Sequence, residues 1–344
     1  MIVNYDYDVI VVGGGHAGVE ACLASAKLNK KTLLITLNFN MVANMPCNPS
    51  IGGSAKGIVV REIDALGGFM GKAADYDYLQ MKMLNTAKGV GVRCLRAQED
   101  KLRYPKYVQN HIKNSKNLDV LEDEVKGIIF ENDTIYGVIL SENRKIYARA
   151  VVLSTGTYMN SEIMVGHSKV SGGPDGEKPS VGLSDYLRNE MGLDLIRLKT
   201  GTPQRLAKES IDFSKAEIQL GNVEDEGFSY ETNSFKAIKD QEPCYLIYTN
   251  EKTHKIIRDN LLESSMYGGI VKGVGPRYCP SIEDKLVRFA DKERHQLFLE
   301  PESYDTNSIY LQGFSTSMPI DVQDKMVHSL PGLENAKILK YAYA

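Results

Sequence analysis

Apolar residues fall along the chain in short blocks whose spacing alternates between that of strands and that of helices. The first block, residues 8–12 (DVIVV), reads as an apolar strand, and it runs straight into Gly13-Gly14-Gly15. Ala17, Ala21, Cys22, Ala24, Ala26 and Leu28 are then spaced for a helix lying on a sheet, and residues 31–36 (KTLLIT) read as a second strand. A helix is also predicted up to about Leu66. Runs at 125–130, 135–140 and 145–154, separated by the polar segments 131–134 and 141–144, predict a β-meander whose last strand returns to the main sheet. Between residues 199 and 275 the runs become short and irregular, with 221–240 reading as a long polar loop and Cys244–Tyr248 as an apolar strand. Helical spacing resumes at Ile282, Leu286, Val287, Phe289 and Ala290 behind a start signal at 281–284, and the chain then runs through the apolar residues 309–311. Strands alternating with helices in this way place the chain in the α/β class.

The turn after the first strand carries candidate chemistry. Gly13-x-Gly15-x-x-Gly18 leaves a strand and opens a helix. In such a turn Gly13 permits the tight bend, Gly15 lets a pyrophosphate approach the backbone, and Gly18 lets the helix pack closely on its strand. Free N–H groups at the helix N-terminus favour phosphate. Residues 13–18, that is Gly13, Gly14, Gly15, His16, Ala17 and Gly18, are therefore read as a dinucleotide site, the alternative being a plain glycine-rich turn. The second strand ends in Thr36-Leu37-Asn38, without the Asp or Glu that holds a ribose 2′-hydroxyl. Asn38 makes that bond less strongly, so NAD as the primary ligand loses ground and FAD stays open. The small-residue turn Ser154-Thr155-Gly156-Thr157 lets backbone pass near a cofactor, and reads equally as a plain strand ending.

Composition narrows the classes. A chain of 344 residues with 42% hydrophobic and 25% charged residues is long enough for two domains and is neither disordered nor a coiled coil. The net charge of -3, from 41 basic and 44 acidic residues, gives no global attraction to nucleic acid, so any such site is a local basic patch. Asp6 and Asp8 flank the first strand where a leader would be basic and then apolar, so neither a signal peptide nor a membrane span is expected, and the location is expected to be cytoplasmic. Cys22, Cys47, Cys94, Cys244 and Cys279 are odd in number and lack C-x-x-C spacing, which points to free thiols in a reducing compartment and to no metal site.

Cys47 lies in the rigid stretch Met45-Pro46-Cys47-Asn48-Pro49, ahead of an apolar helix and near Lys56, a setting that lowers a thiol's pKa toward the reactive thiolate. Cys279, in Pro276-Arg277-Tyr278-Cys279-Pro280, repeats the design with an adjacent arginine. One loop cysteine reads most simply as packing; two in the same Pro-bracketed context favour reactivity. Cys22, Cys94 and Cys244 read as buried small hydrophobes. Residues 88–103 gather Lys88, Arg93, Arg96, Lys101 and Arg103. Arg93 and Arg96, three apart on a possible helix, either clamp phosphates or form a solvated face.

Together these stretches resemble the MnmG family, also called GidA. The likeness rests on VVGGGHAGVEA, CNPSIGG around Cys47, REIDALGG, VRCLRAQEDKLRY, RLKTGTPQRL, TNEKTH, GVGPRYCPSIEDKLVRFAD and FLEPE, and covers essentially the whole chain. It implies a Rossmann-like two-dinucleotide-binding flavoprotein sheet with a β-meander and an inserted α/β domain. The implied division is a first part of the FAD-binding domain at 1–198, an insertion at 199–275, and a return to the FAD-binding domain at 276–344. It implies FAD held by residues 13–18, Asn38, Val125, Thr155 and Gly156, and an essential thiol pair in Cys47 and Cys279. The implied reaction adds a carboxymethylaminomethyl group to C5 of the wobble uridine of certain tRNAs, with NADH as reductant, methylenetetrahydrofolate as one-carbon donor, glycine or ammonia as amine, the GTPase MnmE as partner and a homodimeric assembly. The relatives continue past Ala344 through a glycine-rich segment that completes the FAD site and a helical domain used for MnmE and tRNA, so weak FAD binding is expected of these 344 residues. Two departures stand out: Pro174 and Asp175 follow the paired Gly172-Gly173 where an arginine is usual, and Pro46 stands where a small polar residue is common. Rival readings are a non-catalytic fragment acting as a binding protein and a relative of the folate-dependent tRNA uracil methyltransferases.

Overall fold

The computed structural model describes residues 4–273, 275 and 280–344. The chain opens with Tyr7–Val12 (β1), His16–Lys27 (α1) and Thr32–Thr36 (β2). Ser50–Gly52 (β3), Lys56–Ala65 (α2), Met70–Tyr76 (α3), Tyr78–Leu84 (β4), Cys94–Glu99 (β5), Arg103–Lys113 (α4) and Leu118–Glu122 (β6) follow. The meander is Val125–Glu131 (β7), Thr134–Leu140 (β8) and Lys145–Leu153 (β9). A hairpin, Glu162–Val165 (β10) with Ser168–Ser171 (β11), leads to Leu183–Asn189 (α5). The rest comprises Arg205–Ala207 (β12), Glu217–Gln219 (β13), Cys244–Tyr248 (β14), Glu251–Asp259 (α6), Ile282–Arg288 (α7), Gln296–Pro301 (β15), Ser308–Gln312 (β16), Ile320–Val327 (α8) and Ile338–Lys340 (β17).

The first sheet has the strand order β6-β2-β1-β9-β8-β7. The first four strands run parallel and the meander continues antiparallel, so β9 returns beside β1 as its spacing predicts. Successive side chains of a strand face opposite ways. Val11 and Leu34 accordingly join Val19 and Cys22 of α1 and Val108 and Ile112 of α4 in one core. Ile10, Val12, Leu33 and Ile35 enter the opposite core with Val125, Ile128, Val138, Leu140 and, from α5, Leu183 and Leu187. Cover on both faces is why β1 and β2 read as unbroken apolar runs.

A small antiparallel sheet, β3-β5-β4, packs Ile51, Ala97 and Met81 into the α1 side of the core. It corrects the reading of Arg93 and Arg96 on a helix: Arg96 lies in β5, where Leu95 and Ala97 point into the core and Arg96 out of it, and Arg93 precedes the strand. The segment alternates with period two, which outweighs the three-residue spacing of its charges.

The third sheet, β13-β14-β15-β16-β12-β17, is antiparallel throughout. Its pairs cross residue 275: Leu246 faces Phe298 and Leu206 faces Ile309. The segments expected as an insertion and as a return to the FAD-binding domain thus share one sheet and one core, in which Ile257, Leu286 and Met326 of α6, α7 and α8 pack on Ile247, Leu297 and Leu311. The loop 221–240 holds neither α-helix nor strand among its described residues. Two buried carboxylates tie it down: Asp75 accepts from the N–H groups of Phe228 and Ser229, and Asp64 from that of Tyr230.

Candidate functional site

A cleft of about 300 Å³ lies over the ends of β1, β2 and β9, the place where open α/β sheets bind ligands. The turn that floors it needs its glycines for different reasons. Gly13 has φ +104°, a left-handed conformation that a side chain resists. At Gly18 a Cβ would run into the carbonyl of Gly13 and lie 2.7 Å from the Ser154 hydroxyl, so only glycine lets α1 seat on its strand. Gly15 is the opposite case: a Cβ there would meet no described atom within 4 Å, which leaves room for a ligand against the backbone. Among the described residues no side chain caps α1 and no acidic residue lies in its first turn, so its leading N–H groups are open to an anion.

Gly13, Gly14, Gly15, Asn38, Val125, Thr155 and Gly156 line this cleft. His16, Ala17 and Gly18 stand behind it. The His16 ring is stacked on Tyr104 at 5.6 Å, and burial, followed by the charge of Lys56, pushes its pKa down to about 4, so the imidazole is neutral and supports the turn from below.

Other walls come from Pro46 of the thiol loop and from residues that sequence spacing did not single out: Asn44, Asp123, Tyr158, Glu177 and Ser180. The Asn38 side-chain amide donates to both Glu177 carboxylate oxygens, at 3.3 and 3.4 Å. The Glu177 loop is anchored at Asp175, which accepts from Asn44 at 3.2 Å and pairs with Lys340 at 3.2 Å and Lys101 at 3.6 Å. Burial alone would raise the Asp175 pKa, but the two lysines outweigh it and hold the carboxyl below its ordinary value. The segment where the resemblance expected an arginine therefore carries a carboxylate that closes the loop toward the cleft. Its glycines and proline mark a loop in the sequence; its partners are all distant.

Pro46 lines the cleft, and the next residue is Cys47. The Cys47 thiol lies 3.4 Å from the Gly201 carbonyl and 3.3 Å from the Tyr310 hydroxyl. Beneath the loop, the buried Arg205 guanidinium donates to the carbonyls of Pro46, Cys47 and Pro203, to the Thr202 hydroxyl and to Glu302. All five of its N–H groups are satisfied. The expected helix N-terminus beside Cys47 is displaced: β3 intervenes before α2, and Lys56 donates to the Ser50 carbonyl at 3.1 Å. Cys279 lies outside the described residues. Cys22, Cys94 and Cys244 are buried as expected. Burial raises the Cys22 pKa to about 12, and burial followed by Glu300 raises that of Cys244. Cys47 is the partly exposed thiol among the described ones.

Three members of the basic cluster at 88–103 are committed to carboxylates. Arg96 pairs with Glu300 at 2.8 Å, Lys101 with Asp175 and Glu302 at 3.6 Å, and Arg103 with Asp305 at 2.9 Å and Asp77 at 3.2 Å. These contacts tie the small sheet and α4 to the third sheet. Among the described residues no helix is long and apolar enough to cross a membrane.

Residues 8–344 match the family described as Glucose inhibited division protein A. The chain is 55% identical over 338 residues to the tRNA uridine 5-carboxymethylaminomethyl modification enzyme MnmG of Geobacillus thermodenitrificans, covering 98% of this chain and 53% of that protein. It is 56% identical to the enzyme of the same name from Ureaplasma parvum, covering 98% of this chain and 55% of that protein. The structure of Aquifex aeolicus GidA in its form I crystal superposes with a TM-score of 0.92 at 50% identity, over 98% of this chain and 57% of that one. The chain spans about half the length of the curated relatives it matches. With a family match over residues 8–344, half or more of the residues identical to these relatives over 98% of the chain and the fold superposing over the same extent, the chain belongs to the Glucose inhibited division protein A (GidA, MnmG) family.

Proposed function

We propose that the chain is the flavin- and thiol-bearing part of an enzyme that builds a carboxymethylaminomethyl group on C5 of a tRNA wobble uridine. The observation that carries this reading is the continuity of two sites: Pro46 is a wall of the dinucleotide cleft, and Cys47 follows it in a loop pinned by Arg205. FAD fits the cleft residues. The open face of Gly15 and the uncapped N-terminus of α1 suit a pyrophosphate, Asn38 and Glu177 offer polar contacts for a ribose, and Thr155 and Gly156 leave room beside the second strand end. When bound, the flavin supplies redox chemistry for the one-carbon fragment, with NADH as the source of electrons.

The chemistry left to the protein begins at a thiolate. Carbon 5 of uracil is a poor nucleophile until C6 is saturated. The amine of glycine takes the methylene from methylenetetrahydrofolate as an iminium, releasing tetrahydrofolate. A loop thiolate adding to C6 of uracil moves the ring electrons onto C5 and the O4 carbonyl, and C5 then attacks the iminium carbon, whose C=N electron pair passes to nitrogen. Loss of the C5 proton expels the thiolate from C6 and restores the double bond, so the cysteine is regenerated. Cys47 and Cys279 are the two candidates for this thiol and for a partner that assists it. Glycine supplies the amine, the GTPase MnmE is the protein partner, and the assembly is a homodimer.

The reading is tested by titrating the purified chain with FAD and by assaying wobble-uridine modification in its full-length context. FAD binding that saturates at one equivalent, together with modification that depends on both cysteines, supports it. Loss of neither function in the Gly15 and cysteine variants described below rejects it.

A further inference from the structure

We propose that Tyr310 is a positioning residue for Cys47, donating a hydrogen bond that favours the charged form of the sulfur, with Arg205 fixing the geometry of both. The inference rests on the reading of Cys47 as a reactive thiol. A thiol has one proton to donate, and at 3.4 Å the Gly201 carbonyl, which can only accept, takes it. The Tyr310 hydroxyl at 3.3 Å must then be the donor to sulfur. When the thiol proton leaves, the bond to Gly201 is lost and the bond from Tyr310 remains. A donor bond to a charged acceptor is stronger than one to a neutral acceptor, so the phenol favours the thiolate.

Tyr310 is built to keep this role. It lies on β16, an inner strand between β15 and β12, and is 1% exposed. Burial, followed by Cys47 itself, raises the pKa of its phenol, so the proton needed for donation stays in place. The Arg205 guanidinium lies 4.7 Å from the centre of the Tyr310 ring and also holds the Pro46 and Cys47 carbonyls. One buried side chain thus sets the height of the thiol loop and the position of the phenol that faces it. The other titratable groups about this pair are Lys56 on α2, Arg96 on β5, Glu300 on β15 and Tyr343 near the end of the described chain. Among the described residues none of them hydrogen-bonds to the sulfur.

The test reads the sulfur directly, without flavin or RNA. The rate of Cys47 alkylation by iodoacetamide is followed by peptide mass spectrometry from about pH 6 to about pH 10 in the native chain and in Tyr310→Phe, which keeps the ring over Arg205 and removes only the hydroxyl. The rate near neutral pH falls about tenfold in the variant and rejoins the native rate at high pH, the size of one charge-assisted bond. A fluorinated tyrosine at position 310, a stronger donor of nearly the same size, moves the profile the other way and covers the case of a poorly folding phenylalanine variant. Profiles that superimpose, or that drop by one factor at every pH, overturn the proposal. It fails on this profile alone, whereas the nucleophile reading fails on an active Cys47→Ser enzyme, so the two failures are separable.

Discussion

Asn38, just past the end of β2, donates its side-chain amide to Glu177 at 3.3 Å across a separation of 139 residues. Dinucleotide folds of this kind place an acidic residue near the end of the second strand to hold a ribose hydroxyl. Here the strand ends without one, and the carboxylate arrives from a distant loop. Glu177→Ala is therefore expected to raise the dissociation constant for FAD about tenfold, the loss of one hydrogen bond to a charged group, and Glu177→Gln to raise it less. Fluorescence-quenching titrations of the three chains measure this, and equal affinities would remove Glu177 from the site.

Gly15 and Gly18 respond differently to a side chain. The space beside Gly15 is open, so Gly15→Val leaves a folded chain whose valine occupies the pyrophosphate position. In the full-length context, FAD retention after gel filtration, read by absorbance, is expected to be lost while the melting temperature stays near the native value. Gly18→Ala meets backbone instead and lowers the melting temperature. A Gly15→Val chain that still carries stoichiometric FAD would count against the site.

The cysteines separate binding from chemistry. In the full-length context, Cys47→Ser and Cys279→Ser are each expected to keep FAD and to stop wobble-uridine modification, because a hydroxyl without an adjacent base is a poor nucleophile. Cys94→Ser, at a buried position outside the cleft, retains activity. Mass spectrometry of the tRNA nucleosides decides, and normal modification in either of the first two variants ends their assignment.

Glu99 gives a pH signature. It is wholly buried on β5, and neither carboxyl oxygen has a hydrogen-bond partner among the described residues. Burial, followed by the charges of Asp75 and Asp77, raises its pKa well above the ordinary 4.5. The folded chain then keeps a proton that the unfolded chain releases, so the contribution of this group to stability is full below the unfolded value and falls as pH rises toward the folded one. Glu99→Gln, neutral at every pH, is expected to raise the melting temperature at about pH 8 and to give no gain at about pH 4. An equal gain at both would show that the proton on Glu99 is not the cause.

The strand, glycine turn and helix at the start of the chain were legible because each part acts locally. The β-branched run Val9-Ile10-Val11-Val12, a turn needing glycine and a small-residue helix are set by neighbours a few positions away. The meander was legible for the same reason, and so was the capped start of α7, where Ser281 and Asp284 satisfy each other's backbone N–H groups. Arg96 shows the limit of such reading. Charges three apart fit a helix as well as a strand until β3 and β4 pair on either side.

The surroundings of Cys47 were not legible in this way. Its hydroxyl partner is 263 residues away and the guanidinium that holds its carbonyl is 158 residues away, so no window of local spacing contains them. A buried cation must find an acceptor for every N–H it brings out of water, and Arg205 meets that demand only where β12, Glu302 just past β15 and the thiol loop converge. Periodicity and turn chemistry thus specify the glycine turn between β1 and α1 and the Pro-bracketed loop that carries Cys47. The cost of burying charge and the pairing of distant strands specify what the loop faces, which is why Glu177 and Tyr310 become visible only once the chain is folded.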